Sequence, residues 1–396
     1  MLLSTDDFEK AAHRRLPRAL WGFVAGGCET NTTLSGNREA YRAYAFRPRV
    51  LLGATERSQK VELFGKTWAS PLGIAPMGGN DLSAWRADRN LAAAAKRAGI
   101  PFILSGASSV PLEEIHDIHP DAWFQAYLPY SREDKKGLAE RVARAGYDTF
   151  VITVDMTLPG NRENNLRNGF NMPVRPNWRL AVQSAMKPGW FAGTFLRTLA
   201  QDGGWYFQNQ GPRQGGSMLK PPPAGTRRGH ESLNWDDMRF MRDVWKKNLV
   251  IKGVLAPEDA AKAREIGADA VIVSNHGGRQ LDGTVAPLHA LPAVVEAAGA
   301  MPVLMDGGIR RGTDVLKALA LGAKYVFAGR PFLYGAIVGG EEGVFKVASI
   351  LREEIDRNQA LLGCPDLSAI DESFLVAAGA VAPSVPLERQ RVAAVA

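Results

Sequence analysis

Eight short apolar runs, separated by stretches long enough for a helix, constrain this chain more than any other feature. The runs are Leu72–Ala75, Phe102–Leu104, Trp123–Tyr127, Thr149–Val154, Leu249–Lys252, Ala270–Val273, Val303–Met305 and Tyr325–Ala328. They are too short for helices, and their Val, Ile and Phe content suits parallel strands buried on both faces. The intervening stretches carry helix punctuation. Asp88–Ala98 ends at Gly99, Pro257–Ile266 opens on Pro-Glu-Asp and ends at Gly267, and Thr313–Leu321 ends at Gly322. Eight such units favour a closed barrel over an open doubly wound sheet, which predicts an α/β fold of the (β/α)8 TIM barrel type.

A chain of 396 residues, 45% of them hydrophobic, suffices for one barrel with additions. Residues 1–60 read as a polar helical segment packing on the barrel, broken at Leu16-Pro17 and Gly26-Gly27. Residues 61–396 then form the barrel. The gap between Val154 and Leu249 is too long for a simple connection, so 156–233 is expected to be a lid or a membrane-contact insertion after the fourth strand. It mixes Trp178, Trp190, Phe191, Phe195 and Trp205 with Lys187, Arg197, Arg213, Lys220, Arg227 and Arg228. Bases among aromatics suit an anionic lipid surface. A lid whose aromatics pack on the barrel rim is the competing reading.

Forty-eight basic against 41 acidic residues leave a net charge of +7. A solvated basic surface accounts for this, and no nucleic-acid partner is expected. Cys28 and Cys364 stand far apart without metal-type spacing, so a reducing compartment is expected, with no metal and no disulfide framework. Met1–Lys10 holds Asp6, Asp7 and Glu9 and no apolar core, unlike a signal peptide. No apolar run approaches the ~18 residues of a membrane span. The expected location is cytoplasmic, with peripheral contact at the inner face of the cell membrane.

Chemistry concentrates where the apolar runs end. Ser274-Asn275-His276-Gly277-Gly278-Arg279-Gln280-Leu281-Asp282 follows the sixth run. It puts a histidine able to take a proton near neutral pH beside an arginine fork suited to a carboxylate. After the seventh run comes Asp306-Gly307-Gly308-Ile309-Arg310-Arg311-Gly312, and after the eighth Gly329-Arg330-Pro331. Paired glycine-rich loops with an arginine each, at the last two strands, are a phosphate signal. Lys252 closes the fifth run, Gln125 and Tyr127 the third, Thr153 and Asp155 the fourth, and Arg162 follows. A lysine at the end of an apolar strand points to an anion. An aspartate there is often a helix cap, or it can orient a histidine.

On these motifs the chain resembles the FMN-dependent L-2-hydroxy-acid oxidase and dehydrogenase family, which includes glycolate oxidase, lactate dehydrogenase and mandelate dehydrogenase. The likeness runs from Leu16-Pro17 to about Leu367 and is weakest across 175–230. Mandelate dehydrogenase looks nearest, through Gly99–Ser105, Trp123-Phe124-Gln125 and Gly363-Cys364-Pro365-Asp366. The resemblance implies FMN as cofactor and oxidation of an (S)-2-hydroxy acid to the 2-oxo acid. It makes His276 the base, with Asp155 paired to it. Arg162 and Arg279 would hold the substrate carboxylate, and Tyr127 would bond near the reacting oxygen. Lys252 would sit by the flavin. Ala75, Pro76, Met77, Gly78, Ser105, Gln125, Thr153 and Ser274 would contact the ring, and Asp306, Gly308, Arg310, Gly329 and Arg330 the phosphate side. The resemblance also implies a homotetramer, and an electron acceptor that is oxygen or a membrane quinone.

Three positions depart from the family pattern. Phe23 stands where a substrate-binding Tyr is usual, and Met77 where a Thr is usual. Ala107 stands where glycolate oxidase has a bulky Trp. With Gly78, Ala107 implies room for a medium to bulky side chain, such as that of mandelate, with lactate as the smaller alternative. Phe23 motivates an alternative, an FMN-dependent oxidase of a non-carboxylate substrate on the same barrel. The retained Arg162 and Arg279 argue against it.

Overall fold

The computed structural model describes residues 1–379, except 54, 171–173, 175–176, 214 and 221–229. Its centre is an eight-stranded parallel barrel. The strands are β1 (Leu72–Ile74), β2 (Ile103–Ser105), β3 (Trp123–Ala126), β4 (Thr149–Thr153), β5 (Asn248–Val254), β6 (Ala270–Val273), β7 (Val303–Asp306) and β8 (Tyr325–Ala328). Each pairs in parallel with its sequence neighbour from β2 to β8, and β8 pairs with β1. A bridge between Ile74 and Phe102 closes the ring, and the Ile74 N–H donates to the Pro101 carbonyl at 2.9 Å. Seven of these strands are buried along their whole length, as parallel strands sheathed in helices must be.

The predicted helices appear as Ala87–Ala98, Pro257–Glu265 and Gly312–Ala320. The first ends on Gly99 in the left-handed conformation. A further helix, Trp235–Val244, leads into β5. Asn234 caps it through the N–H groups of Asp236 and Asp237, so the insertion after β4 ends there.

The N-terminal 60 residues are only partly helical. Helices Thr5–Arg15, Arg18–Ala25 and Thr32–Glu39 are followed by a strand, Tyr44–Phe46, paired antiparallel with Leu375–Ala377. Beyond it, Pro48 and Gly53 interrupt any helical period. Phe8, Ala12, Leu16 and Leu20 are buried in the same core as the barrel's helices. A hairpin, Val61–Leu63 with Lys66–Trp68, belongs to a second cluster with Trp123, Tyr325 and Phe327 inside the barrel. Its three-residue strands are too short to announce themselves in the sequence.

The insertion is built from short helices, Glu163–Arg167, Trp178–Ala185 and Arg197–Asp202, with Pro188–Leu196 between the last two. Its aromatic residues divide. Trp178 is 73% exposed, whereas Trp190 and Trp205 are each 6% exposed. Trp190 Nε1 donates to the Leu82 carbonyl and Trp205 Nε1 to the Asp81 carbonyl, both at 3.1 Å. Phe195 lies between them, 5.9 Å from Trp190 and 5.4 Å from Trp205 by ring centroids. The apolar surface turned outward is therefore Trp178, Val182, Met186, Leu196 and Leu199. The expectation that Trp190 and Trp205 supply it does not hold, because both indoles pack on the barrel rim. Arg197 stacks over Trp85, 3.4 Å from the ring centroid, and Lys187 donates to the Arg14 carbonyl. Arg213 and Lys220 are exposed, and Arg227 and Arg228 lie outside the described residues.

Candidate active site at the C-terminal mouth of the barrel

His276 lies just past β6 with φ +58°, a left-handed conformation that a non-glycine residue adopts only where its surroundings impose it. Its backbone N–H donates to Ser274 Oγ at 3.1 Å. Its Nδ1 is 2.9 Å from Asp155 Oδ1, and its Nε2 is 3.4 Å from the Tyr127 hydroxyl. Asp155 reaches the imidazole because β5 bulges at Gly253. That glycine has φ +107°, and a Cβ there would stand 2.6 Å from Asp155 Cγ. Burial pushes the Asp155 carboxyl up, but His276 and then Lys252 outweigh it and hold the group below the usual carboxylate range. The arrangement orients the imidazole and fixes its tautomer.

Lys252 is buried at the end of β5, where its Nζ bonds Ser274 Oγ at 2.8 Å and Asp306 Oδ2 at 2.9 Å. Burial alone would lower its pKa; the carboxylates of Asp306 and Asp155 raise it above the ordinary lysine value instead. A permanent cation is thus held at the barrel mouth. Across the ring, Ser105 Oγ donates to Gln125 Oε1 at 3.0 Å. Gln125 Nε2, Asp306 Oδ1 and Arg310 Nε are buried without a hydrogen-bond partner among the described residues. Unsatisfied groups this deep call for a polar ligand.

Three guanidinium groups crowd one wall. Arg162 donates to the Arg279 carbonyl and to Gln280 Oε1, both at 3.2 Å. Arg279 donates to the Gly26 carbonyl at 2.8 Å and lies over the Phe23 ring at 5.3 Å. Arg330 reaches the carbonyls of Val24, Gly26 and Gly277. Among the described residues none of the three has an acidic partner. Burial, then repulsion from Arg162 and Arg330, depresses the Arg279 pKa strongly, and burial pushes that of Arg330 down to about 10. Arginine does not surrender its proton in proteins, so the wall is primed for an anion.

The loops after β7 and β8 bring Gly308, Arg310, Gly329 and Arg330 together in one cleft with Ala75–Gly78, Tyr127, Thr153, Lys252, His276, Arg279 and Phe23. Its cavity volume is about 130 Å³. A Cβ on Gly308 would stand 2.1 Å from the Asn37 carbonyl, so only glycine permits this approach. A second, outer cavity shares Phe23, Gly78, Tyr127, His276 and Arg279, and is also lined by Ala107, Met156, Arg162 and Phe207. Ser105, Gln125 and Ser274 do not line the first cleft; Ser274 bonds Lys252, which does, and Ser105 bonds Gln125.

Three residues at this mouth carried no sequence signal. Asn37 exchanges two hydrogen bonds with Asn275, 2.8 and 2.7 Å long, tying the N-terminal segment to the loop of His276. Asn80 lines the cleft, and its Nδ2 donates to the Met77 carbonyl at 3.0 Å. His230 lies beside Tyr127, ring centroids 5.9 Å apart, at the end of the insertion. A polar residue inside a polar stretch gives no periodicity by which to find it.

A profile of the FMN-dependent dehydrogenase family matches residues 12–377. The (S)-mandelate dehydrogenase of Pseudomonas putida is 36% identical over 375 residues, which is 94% of this chain and 94% of the relative. The L-lactate dehydrogenase of Caulobacter vibrioides is 38% identical over 387 residues, 94% of this chain and 97% of the relative. Among solved structures, the monotopic membrane protein (S)-mandelate dehydrogenase superposes with a TM-score of 0.85 at 34% identity, covering 95% of this chain and 99% of that one. Mandelate oxidase with (S)-2-phenylpropionate gives 0.78 at 32% identity, covering 95% and 98%.

Proposed function

The chain belongs to the FMN-dependent dehydrogenase family, and on that premise we propose that it oxidises an (S)-2-hydroxy acid with a medium to bulky side chain to the 2-oxo acid, His276 acting as base. The observation that carries this is the His276–Asp155 pair, with His276 in one cleft with Arg279 and Arg330, neither of which has an acidic partner among the described residues. The residues present fit FMN. Gly308, Arg310, Gly329 and Arg330 would hold its phosphate. Ala75–Gly78, Ser105, Gln125, Thr153, Lys252 and Ser274 would border its ring, with Asp306 behind Lys252. Gln125 Nε2 and Arg310 Nε, which make no hydrogen bond among the described residues, are the donors such a ligand would satisfy. Bound there, FMN supplies the two-electron acceptor.

The chain's own residues account for the rest. Arg279 and Arg162 hold the substrate carboxylate and turn the hydroxyl-bearing carbon towards the imidazole. His276 Nε2 takes the substrate proton, and Asp155 on Nδ1 stabilises the imidazolium that results. The Tyr127 hydroxyl, its pKa pushed up to about 12 by burial and then by Asp155, stays protonated and donates to the substrate oxygen. Lys252 offsets negative charge gathering beside it. Gly78 and Ala107 leave the side-chain end of the cavity open. Anaerobic mixing with lactate, mandelate and longer 2-hydroxy acids tests this. Flavin bleaching by the bulkier acids is expected, and bleaching by none of them would overturn it. The second reading, a non-carboxylate substrate, is favoured only by Phe23.

We assign the outward residues Trp178, Val182, Met186, Leu196 and Leu199 to peripheral contact with the inner face of the cell membrane. No helix among the described residues is long and apolar enough to cross one. The monotopic membrane character of a related solved structure supports the same reading. A membrane quinone is then the favoured electron acceptor over oxygen, and a homotetramer the favoured assembly. Co-sedimentation with anionic vesicles, reoxidation by quinone against oxygen, and light scattering test these in turn. Protein left in the supernatant at low salt would reduce the insertion to a lid.

A further inference from the structure

The two buried tryptophans of the insertion touch the barrel at a single short turn. Trp190 and Trp205 donate to the carbonyls of Leu82 and Asp81, and both belong to the turn Asn80–Leu82. That turn follows directly on Ala75–Gly78, which lines the cleft. It is tied to that segment from within. Asn80 Nδ2 donates to the Met77 carbonyl at 3.0 Å, and the Gly79 N–H donates to the Ala107 carbonyl at 3.2 Å. From behind, Asn80 Nδ2 also reaches Asp88 Oδ1 at 2.6 Å, and Asp81 Oδ2 accepts from Ser109 Oγ at 2.8 Å. A continuous set of bonds therefore runs from the insertion, through the turn, to the wall of the cleft. The same insertion carries the outward apolar residues Trp178 and Met186.

We infer that Trp190 and Trp205 are positioning residues that clamp Ala75–Gly78 against the flavin, so that the insertion governs flavin retention as well as surface contact. This rests on the reading above that Ala75–Gly78 borders the flavin. The physical argument is one of alternatives. Each indole N–H satisfies a carbonyl that the insertion itself covers from water, and a buried carbonyl without a donor favours rearrangement of its turn. Asn80 transmits such a rearrangement directly to Met77, because its amide has no freedom to follow the turn and keep both of its acceptors. Binding at the two ends of such a chain is reciprocal, so whatever loosens the insertion weakens flavin binding by the same factor.

The test uses the full-length flavoprotein. Trp190→Phe, Trp205→Phe and the double variant keep an aromatic ring and remove the N–H groups. Asn80→Ala cuts the link to Met77, and Tyr206→Phe is a control within the insertion. FMN dissociation is read by the recovery of free flavin fluorescence, and the flavin environment by visible circular dichroism. Each single Trp variant is expected to weaken FMN binding by roughly three- to tenfold, and the double variant by more. Visible dichroism should change in step while the far-ultraviolet spectrum and the melting point of the apoprotein stay put. Tyr206→Phe should match the wild type. If the double variant retains FMN within twofold while Asn80→Ala loosens it, the clamp is wrong and the flavin border stands. If neither changes FMN binding, Ala75–Gly78 does not border the flavin and the clamp falls with it. A melting point that drops along with the affinity in the Phe variants would overturn the clamp in favour of general destabilisation.

Discussion

The loops after β7 and β8 and the insertion after β4 leave the same end of the barrel, yet they are built on opposite principles. The first are short and bound by backbone. Tyr41 donates to the Gly307 carbonyl at 2.8 Å, Thr5 to the Arg310 carbonyl at 2.6 Å, and the approach of Asn37 excludes every side chain at 308. The insertion is long and held by separate side-chain anchors, among them Trp190, Trp205, Lys187 and Gln183, with apolar residues turned outward between them. Short loops with backbone cradles can hold a cofactor to a fraction of an ångström. A side-chain-anchored flap can change its outer face without disturbing that geometry. On the proposed function, the first region holds the cofactor and the second meets the surface.

The sharpest way to break that division is His276→Ala. It should keep FMN and vesicle binding but slow anaerobic flavin reduction by about 10²- to 10⁴-fold. Reduction at the wild-type rate in a stopped-flow trace would remove His276 from its role. Next in size is Arg279→Lys, which replaces a planar fork by a point charge. A loss in kcat/KM of roughly 10- to 150-fold is expected for carboxylate substrates, with KM rising. A loss under threefold would shift weight to a non-carboxylate substrate.

How much of each region the sequence disclosed follows the same division. His276, Arg279, Arg310 and Lys252 were legible because a polar residue beside glycine, directly after a buried strand, has few structural uses. All four line one cleft. Trp190 and Trp178 could not be told apart, since a tryptophan among basic residues reads alike whether it meets lipid or carbonyl. Only the fold shows one at 6% exposure and the other at 73%. Asn37 and Asn80 were hidden for another reason. Their partners, Asn275 and the Met77 carbonyl, are settled by tertiary approach and not by spacing.

The junction between the two regions can be probed by pH. Asp88, which bonds Asn80, has its pKa raised to about 7, first by burial and then by the neighbouring Asp81. The folded value lies above the unfolded one, so its contribution to stability is fully present below about pH 4 and is lost as pH rises towards 7. The slope is on the order of 1 kcal/mol per unit. Asp88→Asn should remove it, so the melting-point difference from wild type should grow between pH 4 and 7 and then level off. A constant difference across that range would show that Asp88 is ionised throughout. Further out, Trp178→Ser with Met186→Ser should lower partitioning onto anionic vesicles by about tenfold or more, from lost apolar burial, with flavin reduction unchanged. Equal partitioning would move the lipid contact elsewhere. The smallest effect is expected from Phe23→Tyr, which restores a hydroxyl near the arginine wall. Lower KM for small hydroxy acids, by roughly 0.5–1.5 kcal/mol, is the expected gain. An unchanged KM would mean that residue 23 does not meet the substrate.

The bond from Thr5 to the carbonyl of Arg310 joins residues 305 positions apart. Asn37 is likewise completed only by Asn275, and Asp282 accepts from the backbone N–H groups of Thr30, Thr32 and Thr33. These residues of the N-terminal segment are thus made well before the partners that complete them. At about 5–20 residues per second, some 12–60 s of translation separate the two halves of these contacts. Over that interval the helix Thr5–Arg15 lacks the C-terminal helix Arg330–Leu362 on which it packs, whereas Arg18–Ala25 can already meet the insertion helices Glu163–Arg167 and Trp178–Ala185. The catalytic mouth can therefore be completed only once the chain through β7 and its loop has been made.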